Sequence, residues 1–292
     1  GEIVPAFEVF DAVSRGVAEA GHGAAYYWKG KIPASVFYTA VPFGMTAQEA
    51  NGWLHYGGGL ELWRALYAPF GVVPFAGGST GVQMAGWVNI RLNNRADLEG
   101  LKMRIPGLAG EVFDAAGGSA VRIAGGEVYT SMQTGVIDAV EWVGPYNART
   151  LGLMEVGDYY YYPGWHEPAT VLDGFFDMKE WEKLDDNLKE IIKRGAAGTN
   201  LFILSRFQAI NNSALQKLIK EHGVKLQNYS DELLTAVGNR ASEVLPQIAS
   251  KSSNAKALYN EIVGIRESML DWSTYAEGTY LEARKSAKMK KI

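Results

Sequence analysis

A few residues that could hold a small anion and a cation are set into apolar stretches of this chain. Residues 136–147 have the apolar density of a buried strand at Val136, Ile137, Ala139 and Val140, then present Glu141 and Trp142 before Gly144 and Pro145 stop the run. A carboxylate beside a flat ring at a strand end fits a cleft; it equally fits a strand-end cap beside a core tryptophan. Residues 101–107 read as a short strand with Arg104 in its middle, and Gln83 sits among small and apolar neighbours in residues 77–88. An arginine fork matches a carboxylate with two parallel hydrogen bonds, although Arg104 also fits a structural salt bridge. Oxygens of Gln83, Glu141 and main-chain carbonyls would favour a hard cation such as sodium or calcium.

Other chemistries find less support. Gly77, Ser79 and Gly81 match the nucleophile elbow of serine hydrolases, but that elbow needs a strand before it, a helix after it, then an acid and a histidine downstream. Residues 82–89 are rich in β formers instead, and only His166 and His222 follow. The four histidines, at 22, 55, 166 and 222, are too dispersed for a recognisable zinc spacing. No Walker loop is present and no Gly-x-Gly-x-x-Gly opens a helix, so nucleotide binding has no support. With no cysteine, disulfides, thiolate metal sites and a cysteine nucleophile are excluded. A net charge of −4 with thinly spread lysine and arginine offers no nucleic-acid surface.

The chain of 292 residues, 47% hydrophobic, is long enough for two domains. Phe7, Phe10, Val13 and Val17 predict a helix running up to Gly21, residues 23–28 a strand ending in aromatics, and residues 57–70 a helix. Residues 72–76 and 82–89 predict strands around a glycine-rich turn at 77–81. From Asn93 an α/β alternation begins, with the Arg104 strand, helices at 109–116 and 127–133, and the Glu141 strand, which implies crossover connections and a largely parallel sheet. The uncharged run between Arg64 and Arg91 raises the question of a membrane span, but its prolines, glycines and polar residues point to buried strands. Beyond Asp177 the pattern is helical. Trp181, Leu184, Leu188, Ile191 and Ile192 make one apolar face, residues 201–218 a second, and Ser230 caps a further helix. Leu258, Ile262, Ile265, Met269, Trp272 and Ala276 repeat as a heptad seam over roughly 30 residues, about 45 Å. Such a seam fits a helix lying along both domains or one shared with a partner subunit. Arg284, Lys285, Lys288, Lys290 and Lys291 at its end suit the helix dipole.

Three stretches together resemble the solute-binding proteins of tripartite ATP-independent periplasmic (TRAP) transporters: residues 100–107, residues 127–145 ending Glu-Trp-Val-Gly-Pro, and Ala-Ala-Tyr-Tyr-Trp at 24–28. The Glu-Trp-Val-Gly-Pro and Ser-Thr-Gly-Val-Gln versions resemble the branch that takes 2-oxo acids and related small monocarboxylates. The resemblance implies an α/β, two-lobed, type II-like periplasmic binding protein with a hinge and a long C-terminal helix. Residues 1–81 and 170–212 would form lobe I, residues 82–169 and 213–253 lobe II, and residues 254–292 the C-terminal helix. A strand, helix and strand that precede the Gly-Glu-Ile-Val-Pro segment in the family, and the export signal, are expected to be missing. Carried over by residue, Arg104 would grip the ligand carboxylate, and Gln83, Glu141 and the Trp142 main chain would hold sodium or calcium touching the ligand. Tyr26, Tyr27, Tyr146, Asn147 and the loop of His166 and Glu167 would wall the pocket. The implied partners are the membrane subunits of a TRAP transporter and a second copy bound through the C-terminal helix, in the periplasm. A serine hydrolase using Ser79, and a binding protein for a sugar acid or dicarboxylate, stand as alternatives.

Overall fold

Two sheets, and a long helix that contacts the surroundings of both, frame the candidate residues. The computed structural model describes residues 1–287; Lys288, Lys290 and Lys291 of the basic C-terminal run lie outside the described residues. In chain order the strands are β1 (Ala20–Gly23), β2 (Val72–Ser79), β3 (Gly86–Val88), β4 (Lys102–Arg104), β5 (Ser119–Val121), β6 (Ala139–Val140), β7 (Tyr159–Tyr162), β8 (Val171–Asp177) and β9 (Lys225–Asn228). The helices are α1 (Val9–Ser14), α2 (Ala47–Tyr56), α3 (Gly59–Tyr67), α4 (Gly107–Ala115), α5 (Val128–Gln133), α6 (Pro145–Thr150), α7 (Met178–Glu182), α8 (Asp186–His222), α9 (Asp231–Ala249), α10 (Ser253–Ser273) and α11 (Thr279–Ser286).

The smaller sheet has the order β1-β8-β2 and is antiparallel throughout. The larger has the order β5-β4-β6-β3-β7-β9; β4 runs parallel to β5 and β6, and β7 to β9, while β3 is antiparallel to both neighbours. The expected parallel sheet is therefore found only in the larger sheet and is interrupted there by β3. Strands reached through α4 and α5 are parallel, as crossovers require, whereas β3 enters from the other sheet and is free to pair the other way.

Local boundaries differ from the sequence pattern where tertiary contacts outweigh periodicity. The first helix stops at Ser14 and β1 begins at Ala20, while residues 25–28 form a 3-10 turn rather than a strand. The glycines at 77 and 78 do not make a turn: β2 runs through them to Ser79, with a bulge between Ala76 and Gly78. Only Gly86–Val88 of the stretch 82–89 is strand, leaving Gln83 in an irregular segment. The two helical faces expected at 181–192 and 201–218 lie mostly on one 37-residue helix, α8, started by the Asp185 side chain accepting from the Leu188 N–H. This helix lies against β2 of one sheet and α6 beside the other. Gly144 permits the second approach, since a Cβ there would lie 2.9 Å from the Asn211 side-chain nitrogen of α8. The C-terminal seam is buried at Leu258 and Ile262 and packs at Ile265 and Met269, but Trp272 is 69% exposed. A π-turn at Thr274–Gly278 then redirects the helix, with Ala276 outside helical geometry. Among the described residues no helix is long and apolar enough to cross a membrane.

Asp173 of β8 is fully buried beneath the cleft. It accepts from Tyr67 Oη at 3.1 Å and Trp28 Nε1 at 3.4 Å, and its Oδ1 has no donor. Burial pushes its carboxyl up to about 6 from 3.8, against the pull of those hydrogen bonds. The folded state therefore holds a proton that the unfolded chain releases, and stability falls as pH rises through this window, by about 3 kcal/mol at most. Urea unfolding at pH 4 and pH 8 should show the wild type losing about 2 kcal/mol more than Asp173→Asn across that interval; parallel losses in the two proteins would exclude Asp173 as the titrating group.

Candidate functional site

The parallel pairing of β4 with β6 sets Arg104 against Val140, so the next residue, Glu141, falls beside the arginine as its strand ends. The Glu141 N–H donates to the Arg104 carbonyl at 3.0 Å. The side chains then meet: Arg104 Nη1 donates to Glu141 Oε2 at 2.9 Å and to the Glu141 carbonyl at 3.2 Å. Arg104 Nε donates to the Ile123 carbonyl at 3.3 Å and Nη2 to Tyr27 Oη at 3.2 Å. Four of five guanidinium N–H groups are thus engaged, leaving one on Nη2. The Trp142 ring lies 4.8 Å from the guanidinium carbon, a cation–π distance. Both Arg104 and Glu141 side chains are only 3% exposed. Burial raises the Glu141 carboxyl, but the His166 imidazole, 3.7 Å away, and the Arg104 charge outweigh it and hold it below the usual range.

A second polar cluster lines the same cavity as this pair. Gln83 Nε2 donates to Thr170 Oγ1 at 2.7 Å, Glu167 Oε2 at 2.8 Å and Thr80 Oγ1 at 3.2 Å, and the Thr170 hydroxyl also bonds Glu167. The Gln83 N–H donates to the Glu167 carbonyl, clamping the irregular segment onto the loop before β8. Gly164 is required there, because a Cβ would meet the Gln83 carbonyl oxygen at 2.2 Å. Burial, reinforced by the nearby Glu141 charge, lifts the Glu167 carboxyl to about 8. Two buried acceptors, Gln83 Oε1 and Glu167 Oε1, have no hydrogen-bond donor. Unsatisfied buried oxygens are costly unless something electropositive meets them. Among the described residues no three His, Cys, Asp or Glu side chains cluster as metal ligands, so a cation here would depend on amide and main-chain oxygens beside a carboxylate. That donor set suits sodium or calcium.

All nine expected binding residues, Tyr26, Tyr27, Gln83, Arg104, Glu141, Trp142, Tyr146, Asn147 and Glu167, line one cavity of about 430 Å³. His166 does not; it is buried behind Glu141 with both ring nitrogens unpartnered. Sequence reading missed Thr80 and Thr170, which orient Gln83 and Glu167, and the α8 wall of Phe202, Ile203, Arg206 and Phe207. Arg206 carried a signal, being the only charged residue between Arg194 and Lys217. It stacks 5.6 Å from the Tyr146 ring and reaches Tyr146 Oη at 3.4 Å. Ser79 is buried in β2, accepts from the Gly81 N–H at 3.3 Å, and is followed by irregular chain rather than a helix, so the elbow geometry is absent.

Comparison with known proteins gives the same picture. Residues 1–252 match the model of the bacterial extracellular solute-binding protein family 7. The chain belongs to that family. The monocarboxylate 2-oxoacid-binding periplasmic protein of Nostoc sp. is 41% identical over 280 residues, covering 96% of this chain and 77% of that one. A TRAP solute-binding protein from Bordetella bronchiseptica, a mixed-occupancy dimer with calcium and picolinate in one site, superposes with a TM-score of 0.96 at 34% identity over 98% of this chain and 85% of its own. One from Pseudoalteromonas atlantica, with bound sodium and pyruvate, superposes with a TM-score of 0.91 at 38% identity over 94% and 84%. One from Colwellia psychrerythraea, with bound calcium and pyruvate, gives 0.91 at 35% over the same shares. The fold is thus that of TRAP solute-binding proteins, substrate-binding components of transport systems rather than an enzyme family, and the hydrolase alternative is not favoured.

In this TRAP solute-binding protein the Arg104–Glu141 pair carries a stability consequence separate from any ligand. Removing the arginine leaves a buried carboxylate unpaired, a loss of about 3–5 kcal/mol. Urea denaturation should therefore rank Arg104→Met well below the double variant Arg104→Met/Glu141→Gln. A double variant no more stable than Arg104→Met would mean that the buried charge is not the cause.

Proposed function

We propose that this chain is the extracytoplasmic receptor of a TRAP transporter for a small monocarboxylate, a 2-oxo acid such as pyruvate or a lactate-like acid, taken up together with sodium or calcium. The observation that carries the reading is one cavity lined by Arg104, with an uncommitted N–H, and by two residues with unsatisfied oxygens, Gln83 Oε1 and Glu167 Oε1. The ligand carboxylate would take the free Nη2 hydrogen, making a charge-assisted contact while Tyr27 keeps the other. A cation held by Gln83, Glu141 and the Trp142 main chain would meet the ligand's other oxygens. Tyr26, Tyr146 and Asn147 would close the walls. The sodium-pyruvate and calcium-pyruvate complexes of the two relatives from Pseudoalteromonas and Colwellia support this pairing. No nucleophile-and-base pair is part of this arrangement, and we read the chain as a binder, not an enzyme.

Residues 1–81 with 170–212, and 82–169 with 213–253, would form the two lobes, moving about a hinge that α8 spans, with residues 254–292 as the C-terminal segment. The protein would act in the periplasm and pass its ligand to the membrane subunits. A homodimer through the C-terminal segment is supported by the exposed Trp272, Tyr275, Tyr280 and Leu281 on α10, the π-turn and α11.

Calorimetric titration with pyruvate, longer 2-oxo acids and lactate, each with and without sodium or calcium, tests the ligand. Cation-dependent binding, weakened at least about tenfold in Gln83→Ala, is expected; no heat with any acid from the folded chain would overturn the reading. Sedimentation of the wild type and of Trp272→Glu/Tyr275→Glu tests the dimer, with the variant expected as monomer; a wild type that sediments as a monomer at tens of micromolar would refute it.

A further inference from the structure

The ligand cavity is closed on one side by Tyr26 and Tyr27, and a second cavity of about 190 Å³ lies on their far side. The aromatic pair is thus a partition, and Tyr27 is the half that touches the binding machinery through Arg104. What holds Tyr27 comes from both parts of the molecule. Phe7, at the N-terminal end, sets its ring 5.0 Å from the Tyr27 ring. Arg122, directly after β5 of the larger sheet, places its guanidinium 4.4 Å over Phe7 and donates to the Tyr27 carbonyl at 3.3 Å. Two residues beyond Tyr27, Lys29 pairs with Glu111 of α4 at 2.7 Å. Neither Arg122 nor the Lys29–Glu111 pair lines the ligand cavity, so neither has a place among the binding residues.

We infer that Arg122 on Phe7 and Tyr27, together with the Lys29–Glu111 bridge, forms a latch that keeps Tyr27 seated against Arg104 and thereby sets how long a bound ligand is retained. These are positioning residues that act through Tyr27. The contacts join the segment after β1 of the smaller sheet to β5 and α4 around the larger one, so any separation of the two sheets that opens the cavity must break them. An exposed ion pair contributes little to global stability. An equilibrium between open and closed forms is close to balanced, however, and there a small contribution changes populations measurably. The latch is made as the cleft closes and broken as it opens, so its effect belongs in ligand release and not in encounter.

The kinetic half of this inference rests on the carboxylate-binding reading above. It is tested by stopped-flow tryptophan fluorescence with pyruvate and sodium on the wild type, Lys29→Glu, Glu111→Lys, the charge-swapped double variant and Arg122→Met. Each single variant should release pyruvate about two- to fivefold faster with an association rate close to that of the wild type, and the charge swap should return release to the wild-type rate. Unchanged release in the singles, or a swap as fast as either single, would overturn the latch. Amide hydrogen exchange over residues 25–29 in the ligand-free protein gives a second readout, which should accelerate in Arg122→Met. Should pyruvate fail to bind the wild type, the release assay uses whichever acid does bind; should none bind, the ligand reading falls, and this exchange alone decides the latch: unchanged exchange rejects it.

Discussion

The buried ion pair of Arg104 and Glu141 is the constraint on which the rest of the site depends. Two opposite charges in a nearly waterless setting are tolerable only when each is also hydrogen-bonded. The fold meets that demand with the Glu141 and Ile123 carbonyls, the Tyr27 hydroxyl and the Trp142 face around a single guanidinium. Meeting it requires the parallel register of β4 with β6, the loop after β5 and the turn after β1 to converge. The pair therefore both orients the arginine and ties the segment bearing Tyr27 to the larger sheet.

In the neighbouring cluster around Gln83 the logic is opposite. Gln83, Thr80, Thr170 and Glu167 satisfy one another's donors but leave two oxygens unmet. Burial, with the Glu141 charge added to it, lifts Glu167 to about 8, while His166 and Arg104 outweigh burial at Glu141 and hold it low. The cavity is thus lined both by a residue with a spare donor and by residues with spare acceptors. The relatives from Pseudoalteromonas atlantica and Colwellia psychrerythraea have bound sodium and pyruvate, and bound calcium and pyruvate, respectively.

Helix α8 relates the two walls. It rests on β2 and, through the Gly144–Asn211 approach, on α6, while Phe202, Ile203, Arg206 and Phe207 face the cavity. The sequence pattern divided this helix into two apolar faces, yet Leu188, Ile191, Leu201 and Phe202 are exposed and the buried residues are Asn200, Ala214 and Leu218. Periodicity marks a helix but does not say which of its residues a distant segment will cover.

Sequence alone determined a good deal of this protein: its α/β class, the apolar strands that carry Arg104 and Glu141, the long helical C-terminal half, the absence of thiol chemistry, and, through Glu-Trp-Val-Gly-Pro and its companions, its kinship with TRAP solute-binding proteins. These are properties of residue type and local spacing, which the chain displays without folding. The tertiary structure alone decided that Arg104 already spends most of its donors on Glu141 and Tyr27, that β2 runs through the glycine cluster, and that Thr170 and Arg206 reach the cavity. It also decided that the heptad seam is fully buried only to Ile262, packs partly to Met269 and is exposed at Trp272. Each of these depends on which distant segment lies opposite, and the pairing of β4 with β6, or of α8 with α6, brings together residues tens of positions apart whose own neighbours in sequence say nothing about that meeting.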